Sequence, residues 1–132
     1  MLVVDASVLV VALADDTAFG DEARHRLRGE RLAAPELIDL EVISVLRKLV
    51  RVGLSDVRRA ELAMADLVQL PMDRAPHTPL LSRVWELRDN LTAYDASYVA
   101  LAEVVDASLL TADARLAQSP GPLCPIEVLE GT

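Results

Sequence analysis

An α/β fold, with helices layered over a short parallel sheet, is predicted by three features of the sequence. Brief apolar runs alternate along the chain with longer stretches of helical period. The runs are apolar at consecutive positions, as in strands covered on both faces. Turn and cap residues fall between the elements, with Asp, Ser or Thr ahead of helical stretches and Gly or Pro behind them. At 132 residues the chain is the length of a single domain, expected to span residues 1–132. A hydrophobic content of 52% excludes a disordered chain.

Taken in order, Leu2–Val4 is the first strand, ended by Asp5-Ala6-Ser7, with a helical pattern from Val8. Asp15–Asp21 reads as a polar turn and Glu22–Gly29 as a short charged helix. Leu32–Ala34 is a second strand, closed by Pro35. From Glu36 to Val52 a helix carries the apolar stripe Leu37, Leu40, Val45, Leu49 and Val52, and Gly53 stops it. Ser55 is placed to cap the helix Asp56–Leu70, and a brief extended segment around Leu70–Met72 can pair as a strand. Thr78-Pro79 reads as an N-cap followed by proline at the first helical position, opening a helix over Leu80–Arg88. Thr92 opens another, with Tyr94, Tyr98, Leu101, Ala102 and Val105 on its apolar stripe. Ser108–Thr111 is a strand, Asp113–Gln118 a helical turn or two, and Ile126–Leu129 the last strand. The repeat of Val4-Asp5-Ala6-Ser7 as Val105-Asp106-Ala107-Ser108 is a coincidence, because one copy ends a strand and the other ends a helix.

Composition narrows the function classes. The net charge of −8 disfavours unguided nucleic-acid binding, whose affinity comes from neutralised phosphates. The one cysteine, Cys124, excludes an intramolecular disulfide and a cysteine-built zinc site. His25 and His77 are too far apart in sequence for a local metal pair. No apolar run reaches the roughly 18 residues needed to cross a bilayer. The apolar start lacks a basic leader and contains Asp5, unlike a signal peptide. A cytoplasmic protein without a membrane partner is expected.

Ligand sites in open α/β sheets gather at the carboxyl ends of strands, where Asp5 and Asp113 fall. Each precedes a helix, so each is also an ordinary N-cap candidate. Asp95, in Thr92-Ala93-Tyr94-Asp95, resembles the acid of a capping box, for which Asp is shorter than the usual Glu. Glu41 lies beside apolar helix positions. Ionised carboxylates near a core are costly unless paired or metal-bound, and four with few bases nearby suggest a divalent cation. All-oxygen donors select Mg²⁺, or Mn²⁺ as a substitute, over zinc. Such an ion suits phosphodiester chemistry.

Leu2-Val3-Val4-Asp5-Ala6-Ser7, Pro35-Glu36-Leu37 through Glu41, Leu91 through Ala102 (Leu-Thr-Ala-Tyr-Asp-Ala-Ser-Tyr-Val-Ala-Leu-Ala) and Leu109-Leu110-Thr111-Ala112-Asp113 resemble the PIN-domain family, above all the VapC-type toxins of bacterial toxin–antitoxin pairs. The resemblance covers nearly the whole chain in the family's order. It implies an α/β/α sandwich and a metal-dependent endoribonuclease whose acidic quartet falls on Asp5, Glu41, Asp95 and Asp113. Asp5 and Asp95 would be the principal Mg²⁺ ligands, with Glu41 and Asp113 completing the cluster directly or through water. Thr111 and Ser7 would be supporting hydroxyls. Asp39 rivals Glu41, but the family's motif places the acid six residues after the proline, as Pro35 and Glu41 stand here. The resemblance also implies a homodimer and silencing by a cognate VapB-type antitoxin.

RNA contact must be local in so acidic a chain. Between Val42 and Ala60 the bases Arg47, Lys48, Arg51, Arg58 and Arg59 face one acid, Asp56. Arg47, Lys48 and Arg51 are candidate phosphate contacts near Glu41, or else a solvated helical face. Apolar residues over Leu54–Leu70, with Met64 central, suit a partner-facing stripe or the core. Tyr94, Tyr98 and Trp85 fall at core spacings, and no base-stacking platform is expected. A phospho-accepting receiver-like domain needs paired acids at its first strand and a late lysine, whereas Asp15-Asp16 comes too late and the only lysine is Lys48. A haloacid-dehalogenase-like phosphatase needs a second aspartate where Ser7 stands. A catalytically silent PIN module is disfavoured by the intact quartet.

Overall fold

The computed structural model describes residues 1–130; Gly131 and Thr132, the end of the expected domain, lie outside the described residues. Strand β1 (Leu2–Val4) leads into helices α1 (Ala6–Ala14) and α2 (Ala18–Leu27), and β2 (Leu32–Pro35) into α3 (Ile38–Arg51) and α4 (Val57–Gln69). Then β3 (Met72–Ala75) runs through a 3₁₀ turn at Thr78–Leu80 into α5 (Leu81–Glu86) and α6 (Ala93–Val104). Last come β4 (Ser108–Thr111), α7 (Ala114–Gln118) and β5 (Ile126–Val128).

The five strands lie in the order β3-β2-β1-β4-β5, every neighbouring pair parallel. The chain therefore travels outward from β1 to β3, then crosses back to β4 and β5 on the other side. Parallel crossovers are right-handed, so reversing direction places the later helices on the opposite face of the sheet. The packing agrees: α1 lies against α2, α3 and α4, whereas α6 lies against α5 and over β1, β2 and β4. The expected α/β/α sandwich is thus observed. The direction reverses between β1 and β4, and a crevice opens there at the carboxyl ends of the strands.

The core sits on both faces of the two central strands. Val3, Val4, Leu109 and Leu110 are fully buried, with Val3 beside Leu109 and Val4 beside Leu110 in the register. Removing such side chains from water contributes about 1.5–3 kcal/mol each. Helix α6 is buried at every position from Ala96 to Ala102. A helix apolar all round has no solvent face, and its alanines let it lie close to the sheet.

Several expected boundaries move, for local reasons. The third strand is Met72–Ala75 rather than Leu70–Met72, because Leu70 still caps α4 and the four residues of β2 pair in register with Met72 through Ala75. Helix α2 begins at Ala18, with Thr17 as its cap, four residues before the expected Glu22. Asp56, not Ser55, caps α4: its carboxylate accepts from Arg59 N–H at 2.7 Å. Thr78-Pro79 opens a 3₁₀ turn rather than an α-helix, with His77 at the cap. The buried stripe of α3 is Ile38, Val42 and Leu46; the expected Leu40, Val45 and Val52 are exposed. Tyr94 and Trp85, expected in the core, are also exposed, and Arg88 lies over the Trp85 ring at 4.5 Å. Gly53, at φ +81°, ends α3 as expected.

A polar tie fastens α5 to α6. Arg83 donates to both carboxylate oxygens of Glu103 (2.8 and 3.1 Å) and to Gly121 C=O (2.9 Å), and Leu123 N–H donates to Glu103 at 2.8 Å. Burial pushes the Glu103 carboxyl up, but Arg83 and the Leu123 N–H outweigh it and hold the group below its ordinary value of 4.5. A depressed folded-state pKa adds stability above pH 4.5 that is lost as pH falls through the folded value. Glu103→Gln should therefore cost about 1–3 kcal/mol at pH 7. In urea unfolding the gap from wild type should narrow below about pH 4.5; a gap that stays constant with pH would contradict this role.

Candidate metal centre at the carboxyl edge of the sheet

Asp5 is the first residue beyond β1, and both its oxygens are committed. Oδ1 accepts from the Ser7 hydroxyl at 2.5 Å and from Val8 N–H at 3.2 Å, which caps α1. Oδ2 accepts from the Thr111 hydroxyl at 2.5 Å, across the β1–β4 switch. Capping and site placement, alternatives in the sequence, are one arrangement. Burial raises the Asp5 carboxyl above its ordinary value, the three donors pull it down, and the charge of Asp95 pushes it up again.

Ser7 and Thr111 form a small hydroxyl frame around this carboxylate. Ser7 Oγ also accepts from Ala112 N–H at 2.9 Å, and Thr111 Oγ1 accepts from Asp113 N–H at 3.0 Å. Each hydroxyl donates to Asp5 and receives from the loop after β4, so it locks the two strand ends together. Asp113 then caps α7, accepting from Arg115 N–H at 3.0 Å. The Arg115 guanidinium beside it, 3.3 Å away, holds the Asp113 carboxyl below the usual range.

The other two acids arrive from opposite helical layers. Asp95 lies in the first turn of α6, where its N–H donates to the Thr92 cap at 3.1 Å. Half-burial raises its carboxyl, and the charge of Asp113 adds to the rise. Glu41 lies in the first turns of α3 and accepts from the Tyr98 hydroxyl of α6 at 2.5 Å. Burial raises Glu41 as well; Tyr98 offsets this, and Asp95 and Asp5 add to it. Tyr98 is fully buried and bridges the two helical layers. Sequence reasoning placed it in the core and missed its hydroxyl; the available signal was that a buried tyrosine needs a hydrogen-bond partner for its O–H. Asp39, the rival of Glu41, is held by Arg74 at 2.8 Å and does not line the site.

Asp5, Glu41, Asp95 and Asp113 line one pocket of about 610 Å³, together with Ser7, Leu37, Leu40, Ser44, Val45, Tyr94 and Tyr98. Among the described residues no lysine or arginine lines it. Nor, among the described residues, are three or more aspartate, glutamate, histidine or cysteine side chains drawn together closely enough to hold a metal ion by themselves. An open cluster of hard oxygens fits Mg²⁺ better than a cage does, since that ion keeps several waters and takes one or two carboxylates plus substrate phosphate. The mutual electrostatic cost among Asp5, Glu41 and Asp95 is what a dication offsets. Asp5 and Asp95 could hold it directly, with Glu41 and Asp113 beside them.

The three candidate RNA-contact bases do not line this pocket. Lys48, seven residues after Glu41, returns to the same side of α3. Arg47 and Arg51 instead border an apolar groove with α4, beside Ile43, Leu46, Val50, Val57 and Met64. Met64 is therefore on a surface groove rather than in the core. Arg59 is tied to Asp16 and to Leu13 C=O at 2.9 Å.

The chain belongs to the PIN-domain family, whose model matches residues 2–121. Within that family it groups with the VapC ribonucleases. It is 45% identical over 132 residues to Ribonuclease VapC9 of Mycobacterium tuberculosis (98% of each chain) and 45% identical over 131 residues to Ribonuclease VapC1 of that species (96% of each). Among solved structures it is similar to PAE2754 from Pyrobaculum aerophilum, with 29% identity and a TM-score of 0.69 over 96% of this chain and 83% of that one. VapBC2 from Rickettsia felis, solved bound to a DNA fragment from its promoter, shares the fold at 13% identity and a TM-score of 0.71 over 98% of each chain.

The hydroxyl frame makes a specific stability prediction. Thr111→Val keeps the shape of a fully buried side chain but strands Asp113 N–H and one oxygen of Asp5. It should cost about 1–3 kcal/mol in chemical denaturation, whereas a loss below about 0.5 kcal/mol, the size of an ordinary surface change, would mean the frame carries no load.

Proposed function

We propose that this protein is a Mg²⁺-dependent endoribonuclease, the toxin of a toxin–antitoxin pair, with its 132 residues working as one domain. The observation that carries this reading is the convergence of Asp5, Glu41, Asp95 and Asp113, from four separate stretches of sequence, on one pocket. Its near full-length likeness to proteins named ribonucleases supports the substrate class. Asp5 and Asp95 are assigned as the metal ligands, with Glu41 and Asp113 completing the catalytic cluster. Mn²⁺ would substitute, having the same preference for oxygen.

Bound there, the ion supplies a more acidic water and charge stabilisation on the phosphate. The chain's own groups set the geometry. Ser7 and Thr111 fix the rotation of the Asp5 carboxylate, so its orientation is set before substrate arrives. Tyr98 holds Glu41 over the pocket. Asp95 is rigid because the turn that carries it continues into the fully buried part of α6. Arg115, exposed and beside Asp113, is placed to meet a phosphate at the rim. Lys48, with Arg47 and Arg51 further round α3, would hold phosphates along the strand.

A VapB-type antitoxin is the expected inhibitor, and an arginine reaching the acidic pocket would suit its charge. A homodimer is the expected assembly. Among the described residues no helix is long and apolar enough to cross a membrane.

The test is RNA cleavage in Mg²⁺ or Mn²⁺. Asp5→Asn and Asp95→Asn should each lower the rate on the order of 100-fold or more, and chelation should abolish cleavage. Charge reversal at Lys48, Arg47 and Arg51 together should lower kcat/KM several-fold and flatten its salt dependence. Chelator-resistant cleavage, or full activity in both aspartate variants, contradicts the assignment.

A further inference from the structure

The pocket has a second wall that takes no part in the carboxylate chemistry. Tyr94 is 62% exposed and Leu40 72%, and both line the pocket that holds the four acids, as does Val45. Large apolar surface left open beside a polar site marks a binding surface. Tyr94 immediately precedes Asp95, and its carbonyl accepts from the buried Ser97 hydroxyl at 2.6 Å. The ring therefore stands on a fixed stem, next to a carboxylate assigned as a metal ligand.

An aromatic face at this position matches one component of RNA, the base. Bases stack on exposed tyrosine rings whatever their identity, since each has a π-face. Stacking on a side chain needs a base already free of a helix, as in loops and unpaired strands. Acidic residues beside the ring repel the sugar–phosphate backbone except where a cation bridges them, so the uncharged base is the part that the apolar wall accepts.

We propose that Tyr94, backed by Leu40 and Val45, is a stacking platform for an unpaired base next to the phosphate that is cut. The proposal rests on the ribonuclease reading and assigns one side chain, Tyr94, to hold the strand through its base beside the carboxylates. Tyr94 is a specificity residue in this arrangement: it positions the strand and leaves the metal ligands untouched.

The test uses full-length protein with Ca²⁺ in place of Mg²⁺ and fluorescently labelled oligoadenylate, oligouridylate and the duplex of the two. Wild type should bind the single strands more tightly than the duplex. Tyr94→Ala should weaken single-strand binding roughly 5- to 100-fold, while Tyr94→Phe stays within about two-fold because the ring is kept. A strand carrying abasic sites should bind wild type no better than the intact strand binds Tyr94→Ala. Because the ring is exposed, the variant's melting should match wild type. Tyr94→Ala binding as well as wild type, or wild type binding no strand, overturns the platform. Absence of Mg²⁺-dependent cleavage, with the binding differences intact, overturns the ribonuclease reading alone.

Discussion

The buried carboxylate of Asp5 is the constraint on which the site depends. It closes the N-terminus of α1, takes the Ser7 hydroxyl on the same oxygen and the Thr111 hydroxyl on the other, and so joins the ends of β1 and β4. Those two strands are where the chain reverses direction across the sheet, and the reversal leaves a crevice that helices from either layer can reach. Asp95 enters from α6 and Glu41 from α3, with Tyr98 spanning the gap between them. The sheet order thus decides which acids meet, and the hydroxyl frame decides how the central one is turned.

Electrostatics sets the cost of this arrangement. Asp5, Glu41 and Asp95 are each held above their ordinary pKa by burial first, and a neighbouring carboxylate adds to each rise: Asp95 at Asp5, Asp95 and Asp5 at Glu41, and Asp113 at Asp95. A fold selected for stability alone would not place three such groups together. The geometry also separates the rivals. A receiver-like domain needs a lysine near its last strands, and Lys48 stands on α3. A dehalogenase-like phosphatase needs an acid where the Ser7 hydroxyl instead serves Asp5.

Much of this was legible in the sequence. Consecutive apolar residues at Leu2–Val4 and Leu109–Leu110 marked central strands, and Asp5 and Asp113 after them marked the strand ends. The four acids that line one pocket were proposed from motifs that resemble the family's, and the spacing from Pro35 favoured Glu41 over Asp39, which the structure pairs with Arg74 outside that pocket. What periodicity could not give was the orientation of α3. That helix is apolar on three sides, because Ile38, Val42 and Leu46 pack inward, Leu40 and Val45 border the carboxylates, and Ile43 and Val50 face the α4 groove. A stripe drawn through such a sequence is ambiguous. Tyr94 failed for a related reason: it shares the spacing of Tyr98, but burial along α6 begins only at Ala96, and Tyr94 before it is exposed.

Diffraction observes most directly whether the four acids share a hard dication, as proposed. Crystals grown with Mn²⁺ and measured at the manganese absorption edge should show an anomalous peak against Asp5 and Asp95, absent from crystals of Asp95→Asn. Manganese found elsewhere, or no peak among these acids in protein that still cleaves RNA, would contradict the account.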